Sequence, residues 1–146
     1  MLSPRSRLRK RLQSGGIGMI GTIGDYARFA QMLLNGGMLD GKRYLKPGTV
    51  ALMTSDHIGP ETRIAQDSSH SPAPYTGFGL GVAVQTVKPS DTRAPIGVYG
   101  WAGAGGTFFF IDPRDDLFVV CLMQTLTHGA PIQAALKTLI YEALEN

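Results

Sequence analysis

A chain of 146 residues with 43% hydrophobic and 17% charged side chains can bury one core and is too apolar to stay unstructured. Its longest apolar run, Leu117 to Met123, is far short of the roughly 20 residues a membrane-crossing helix needs, and a single cysteine, Cys121, allows no internal disulfide. The net charge of +3 comes from one end: five basic residues (Arg5, Arg7, Arg9, Lys10, Arg11) crowd the first eleven positions, and the rest holds nine basic against eleven acidic groups, a net −2.

Residues 1–13 are a basic leader, expected to be solvated and disordered. It has no apolar central stretch, so it is not a secretory signal, and no compartment is indicated. A nucleic-acid role rests on this leader alone and would require steeply salt-dependent binding.

Residues 14–58 read as a helical segment. Thr22 and Asp25 have capping-box spacing, with Tyr26, Phe29, Ala30 and Leu33 as the apolar stripe and Asn35-Gly36-Gly37 as the stop. "MLDGKRYL" predicts a small hairpin across Asp40-Gly41, and a short helix is expected from about Pro47 to Ser55. "GGMLDGKR" departs from a phosphate-binding loop because Arg43 stands where the magnesium-binding hydroxyl belongs, and the stretch follows a helix rather than a strand.

Residues 59–75 are polar and proline-bearing, the mark of a surface loop. Residues 76–146 then change to a period of two. "GFGLGVAVQ" reads as a strand with Phe78, Leu80, Val82 and Val84 on one face, and a second layer is expected against its glycines. "TFFFI" and "LFVVCLM", joined by "DPRDD", read as a hairpin buried on both faces. Pro131 begins a last helix, with Ile132, Leu136, Leu139 and Ala143 inward and Lys137 and Glu142 outward. The fold class is α+β: an antiparallel sheet with a covering C-terminal helix, preceded by a small helical segment, the helices lying on one face.

His57, His70 and His128 are widely spaced and no cysteine pair accompanies them, so no metal is expected, nor any cofactor. Asp112 and Asp116 belong to a hairpin turn, where acids are usually solvated. The informative stretch is "YGWAGAGGTFFFIDP", with the only tryptophan of the chain set among glycines.

With "SGGIGMIGTIGDYARFAQMLLNGGMLDGKRYLKPGTVALM" and "GFGLGVAV", that stretch resembles the C-terminal part of the serine β-lactamase-like hydrolases. These include class C β-lactamases, D-alanyl-D-alanine peptidases and family VIII-type esterases. The resemblance covers roughly residues 14–144 and implies an incomplete β-lactamase/transpeptidase-like fold. It makes Trp101-Ala102-Gly103 the tryptophan form of the family's Lys/His/Trp-x-Gly strand motif, and places the Ala104 backbone N–H at an oxyanion-hole position. The implied substrates are small esters, amides or β-lactams, with a lean toward those lacking a carboxylate because Trp101 stands in place of a cation.

The family's other two motifs are not in this sequence. No serine has a lysine three residues on, and no tyrosine an asparagine two residues on. No catalytic residue is therefore assigned, and the chain is expected to be inactive alone, since acyl transfer needs an activated nucleophile. The resemblance further implies that Leu117–Met123 borders strands this chain does not supply, which would leave an open sheet edge through which it could self-associate. A non-catalytic module that binds a peptide or acyl group beside the glycine-rich strand is the alternative reading.

Overall fold

The computed structural model describes residues 20–59, 76–88, 94–125, 127 and 129–144; the basic leader, nearly all of the polar loop, His70 and His128 lie outside the described residues. The first helix, α1 (Ile23–Leu34), begins at the expected capping box: the Asp25 N–H donates to Thr22 Oγ1 (3.1 Å), and the Asp25 carboxylate accepts from the Thr22 N–H. It ends in a Schellman arrangement, with Gly37 N–H donating to Met32 O (2.8 Å) and Gly36 N–H to Leu33 O (3.0 Å). Strands β1 (Met38–Leu39) and β2 (Lys42–Arg43) close a hairpin whose central residues, Asp40 and Gly41, both have positive φ, as a two-residue type I′ turn requires. Helix α2 (Pro47–Met53) opens on Pro47 and stops slightly short of Ser55.

Five strands follow: β3 (Thr76–Phe78), β4 (Ala83–Gln85), β5 (Tyr99–Ala102), β6 (Phe108–Asp112) and β7 (Leu117–Cys121). They form one antiparallel meander in chain order, and helix α3 (Gly129–Ala143) closes the domain. "GFGLGVAVQ" is not one strand, as its alternation suggested. Residues 79–82 make the β3–β4 turn, with Gly79 N–H donating to Val82 O (2.8 Å) and Leu80 exposed. The expected close layer exists only at its start: a Cβ on Gly79 would overlap the Met53 carbonyl at the end of α2. A large–small alternation reads alike in a strand and in a tight hairpin, because only the pairing partner distinguishes them.

The run Phe108-Phe109-Phe110-Ile111 is divided between two cores, the physical reason for its continuous hydrophobicity. Phe109 and Ile111 meet Ala30 and Leu33 of α1 and Val50 of α2, together with Val84 and Tyr99 of the sheet. Phe108 and Phe110 turn the other way, onto Leu136, Ile140 and Tyr141 of α3. The helices therefore cover both faces of the sheet, a correction to the one-face expectation. A face count from sequence fails here because each strand carries apolar residues in both directions.

Helix α3 is also rotated from the expected stripe. Leu136, Ile140 and Tyr141 face the sheet, while Ile132 and Leu139 are exposed. Lys137, expected outward, lies with Nζ 5.3 Å from the centre of the Phe110 ring, a cation–π contact that lets its stem cover apolar surface. Burial pushes its pKa down, and Asp112 opposes that shift.

Asp112 is the other correction: it is fully buried rather than solvated. Its carboxylate accepts from the Tyr141 hydroxyl (2.7 Å) through Oδ2 and from the Arg114 (3.0 Å) and Asp115 (3.4 Å) backbone N–H groups through Oδ1. One side chain thus shapes the β6–β7 turn and fastens it to α3.

Candidate active site

The stretch from Trp101 to Ala104 lies where β5 leaves the sheet. Tyr99 is buried at the strand's start, its hydroxyl pKa pushed up to about 12 by desolvation, whereas Trp101, Ala102, Gly103 and Ala104 are exposed. Trp101 is paired across strands with Phe109 and meets the Phe78 ring edge to face at 5.2 Å between centroids. The indole is thereby fixed on two sides and open on a third.

Beyond β5 the chain turns tightly. The Gly103 N–H donates to Thr107 O (2.7 Å) and the Gly106 N–H to Gly103 O (2.9 Å), while Gly105 O accepts from the Thr125 N–H (2.9 Å). Among the described residues, the Ala104 N–H has no hydrogen-bond acceptor, and Ala104 is exposed. The arrangement can offer one backbone donor to an oxygen held beside Trp101.

Two glycines here are required by packing within the chain. A Cβ on Gly100 would overlap the backbone of Phe109 on β6, so β5 and β6 lie too close for any side chain there. Gly106 has φ +87°, and a Cβ on it would sit 2.8 Å from Thr125 O. Gly106→Ala is expected to lower stability by roughly 1–3 kcal/mol and to shift the native Trp101 emission by displacing the turn. Denaturant melts and a fluorescence spectrum of the folded variant read both effects.

The open side of Trp101 borders a hollow of about 160 Å³, lined by Tyr26 of α1, Trp101, Ala102, Gly103, Thr107, Phe108, Phe109, Val120 and Leu122. No charged residue lines it. Tyr26 packs on Phe109 with ring centroids 5.2 Å apart, and burial raises its pKa, so the phenol stays neutral at physiological pH. Tyr26, Val120 and Leu122 were not legible as site residues. Sequence spacing places Tyr26 on the apolar stripe of α1 and the other two in an apolar strand, and nothing local signals that they meet beside Trp101.

A second constellation has the residue types of a nucleophile and base. Ser55 Oγ lies 3.2 Å from His57 Nε2, just after α2. His57 Nε2 is also 2.7 Å from Leu52 O, a carbonyl that can only accept, so this nitrogen carries the proton. Ser55 Oγ likewise donates to Leu52 O (2.9 Å). The ring nitrogen that faces Ser55 therefore has no lone pair to take the serine proton, and the pair closes the end of α2. Next to it, Asp56 accepts from the Ile58 and Phe78 backbone N–H groups (both 3.1 Å), which hold its carboxyl below the usual range and tie α2 to β3. Among the described residues, no three His, Cys, Asp or Glu side chains come together to hold a metal ion, and no helix is long and apolar enough to cross a membrane.

An antiparallel five-stranded sheet with a C-terminal helix on one face and α1 and α2 on the other, with an exposed Trp-x-Gly run at the end of a central strand, defines a β-lactamase/transpeptidase-like fold. The chain belongs to the Beta-lactamase family, whose pattern it matches over residues 2–143. It is 37% identical over 119 residues to Protein Rv1367c of Mycobacterium tuberculosis (strain ATCC 25618 / H37Rv), a match covering 76% of this chain and 29% of that protein. Among solved structures it resembles EstCE1, described as a hydrolase with promiscuous acyltransferase activity, at 28% identity and a TM-score of 0.61, covering 81% of this chain and 28% of that one. A penicillin-binding protein homolog from Caulobacter crescentus shares the fold at 23% identity and a TM-score of 0.58, covering 80% of this chain and 30% of that one. The chain thus spans less than a third of the length of these relatives.

Proposed function

We propose that this chain supplies the substrate-side wall of a serine-hydrolase-type site acting on small esters, amides or β-lactams. In this reading Trp101, Ala102 and Gly103 flank the acyl group and the Ala104 N–H stabilises the oxyanion. The observation that carries the reading is the exposed Trp101–Ala104 run, whose Ala104 N–H has no acceptor among the described residues, in a chain of the Beta-lactamase family. A backbone donor aimed at a developing oxyanion is worth roughly 3 kcal/mol in acyl-transfer enzymes.

The nucleophile and its base are not among this chain's motifs, so the chain by itself does not turn over substrate. The purified chain is expected to hydrolyse nitrocefin and p-nitrophenyl acetate no faster than buffer, and saturable hydrolysis would overturn this. The wall itself is tested in a chimera in which residues 20–144 replace the matched part of EstCE1. Esterase activity is expected to persist and to fall about 100-fold with Ala104→Pro, which removes the N–H. A folded chimera that is inactive, or one indifferent to Ala104→Pro, would refute the reading.

A further inference from the structure

Among the described residues Met38 is the exposed methionine, at 39% exposure, while Met32, Met53 and Met123 are half-buried and pack against the two cores. Met38 stands directly across the β1–β2 hairpin from Arg43. The Arg43 guanidinium is anchored, because Nη1 donates to Gly36 O (3.2 Å) and to Leu45 O (3.0 Å), carbonyls that flank the hairpin in sequence. Its Nη2 then donates to Met38 Sδ, 3.7 Å away. Among the described residues no carboxylate pairs with Arg43, and Asp40 at the hairpin tip is taken by Arg28.

An anchored guanidinium aimed at a thioether is poorly matched, because that sulfur is a weak acceptor. The match improves once the sulfur carries an oxygen. An S–O bond is about 1.5 Å long, so with Nη2 3.7 Å from sulfur the oxygen can sit about 2.7 Å from the nitrogen, at an S–O···N angle of about 120°. That is the geometry of a charge-assisted hydrogen bond, reached with both side chains close to where they stand.

We propose that Met38 is a modification site that takes one oxygen atom from a hydroperoxide, and that Arg43 holds the resulting sulfoxide. A sulfur lone pair attacks one peroxide oxygen, and the S–O bond forms as the O–O bond breaks. The thioether is oxidised by two electrons to the sulfoxide. The hydroperoxide is reduced, its other oxygen keeping the bonding pair and taking the proton, and it leaves as an alcohol, or as water when the oxidant is hydrogen peroxide. Arg43 exchanges an N–H···S contact for a stronger N–H···O bond while it keeps Gly36 O, just past the end of α1. Oxidation here tightens the hairpin, whereas at Met32 or Met53 it would put a polar group against the core. Neither Met38 nor Arg43 lines the hollow beside Trp101, so the site is separate from the acyl wall proposed above.

The intact chain is treated with hydrogen peroxide under native conditions, and peptide mapping by mass spectrometry follows each methionine. Met38 is expected to oxidise at least about fivefold faster than Met32, Met53 and Met123, since susceptibility follows exposure. Equal rates would overturn the site. The species oxidised at Met38 alone is then separated and melted in urea. Its folding equilibrium constant is expected to rise about three- to tenfold over the reduced chain, the worth of one exposed hydrogen bond to a charged group. An unchanged or lower constant would refute the role of Arg43, as would a gain of the same size in Arg43→Ala, where it should vanish. If Arg43→Ala does not fold, Met38→Gln and Met38→Leu decide the matter with Arg43 intact, since glutamine offers the guanidinium an oxygen and leucine none. Met38→Gln is expected to be the more stable by a similar factor, and equal or lower stability would sink the proposal.

Discussion

Asp112→Ala is expected to destabilise the domain by about 3 kcal/mol or more, a large share of the 5–15 kcal/mol that hold a typical domain together. Asp112 is fully buried, and its removal strands three donors at once: the Tyr141 hydroxyl and the Arg114 and Asp115 backbone N–H groups. The buried Tyr141 hydroxyl keeps its desolvation cost without a partner, and the turn loses the two bonds that hold its exposed Arg114 and Asp115 backbone in place. Tyr141→Phe removes only one of the three bonds and should cost about half as much or less, since Asp112 keeps both backbone donors. Urea melts of the two variants test this, and equal losses would show that the carboxylate does not organise the turn.

The same pair gives a pH dependence with a defined sign. Burial, and then the hydrogen bond to Asp112, raise the Tyr141 pKa above its ordinary value of 10.0, and burial takes Tyr99 up to about 12. A group whose folded pKa lies above its unfolded value contributes stability that is full below the unfolded pKa and is lost as pH rises toward the folded one. The contribution of the two tyrosines should therefore be constant below about pH 10 and fall between pH 10 and 12. In Tyr141→Phe the fall should be shallower.

The second large effect is association. Strand β7 is last in the sheet, and among the described residues it is paired on one side only, with β6. Its sequence, Leu117-Phe118-Val119-Val120-Cys121, has no charge, proline or glycine to blunt an open edge, and exposed Leu122 follows it. An edge with no strand partner among the described residues, in so apolar a strand, is a template for another strand. The chain is expected to self-associate at micromolar concentrations, and Leu122→Lys to shift the distribution toward monomer. Sedimentation velocity across a concentration series measures both. A parent chain that stays monomeric throughout would show that the edge is closed in solution.

Which parts of this protein could be read locally follows from how far each signal reaches along the chain. Thr22 and Asp25, Asn35 to Gly37, and Asp40-Gly41 each determine their cap, stop or turn through hydrogen bonds spanning a few residues, and all three appear where the residues predict them. The pairing of "TFFFI" with "LFVVCLM" was equally legible, and β6 is buried on both faces as its continuous apolar run requires, but β7 is only half-buried and Leu122 exposed. The family likeness came from the order of such pieces.

Other features depended on contacts between residues far apart in sequence. The turn inside "GFGLGVAVQ" is fixed by the Met53 carbonyl, the burial of Asp112 by Tyr141, and the rotation of α3 by Phe108 and Phe110. At the site, the sequence by itself determined the bare run from Trp101 to Ala104, but it could not say that Gly100 and Gly106 are glycines because β6 and Thr125 crowd them. Nor could it bring Tyr26, Val120 and Leu122 together beside Trp101. Only the tertiary structure decided those, since a hollow is made by side chains from separate elements whose mutual distance no local propensity encodes.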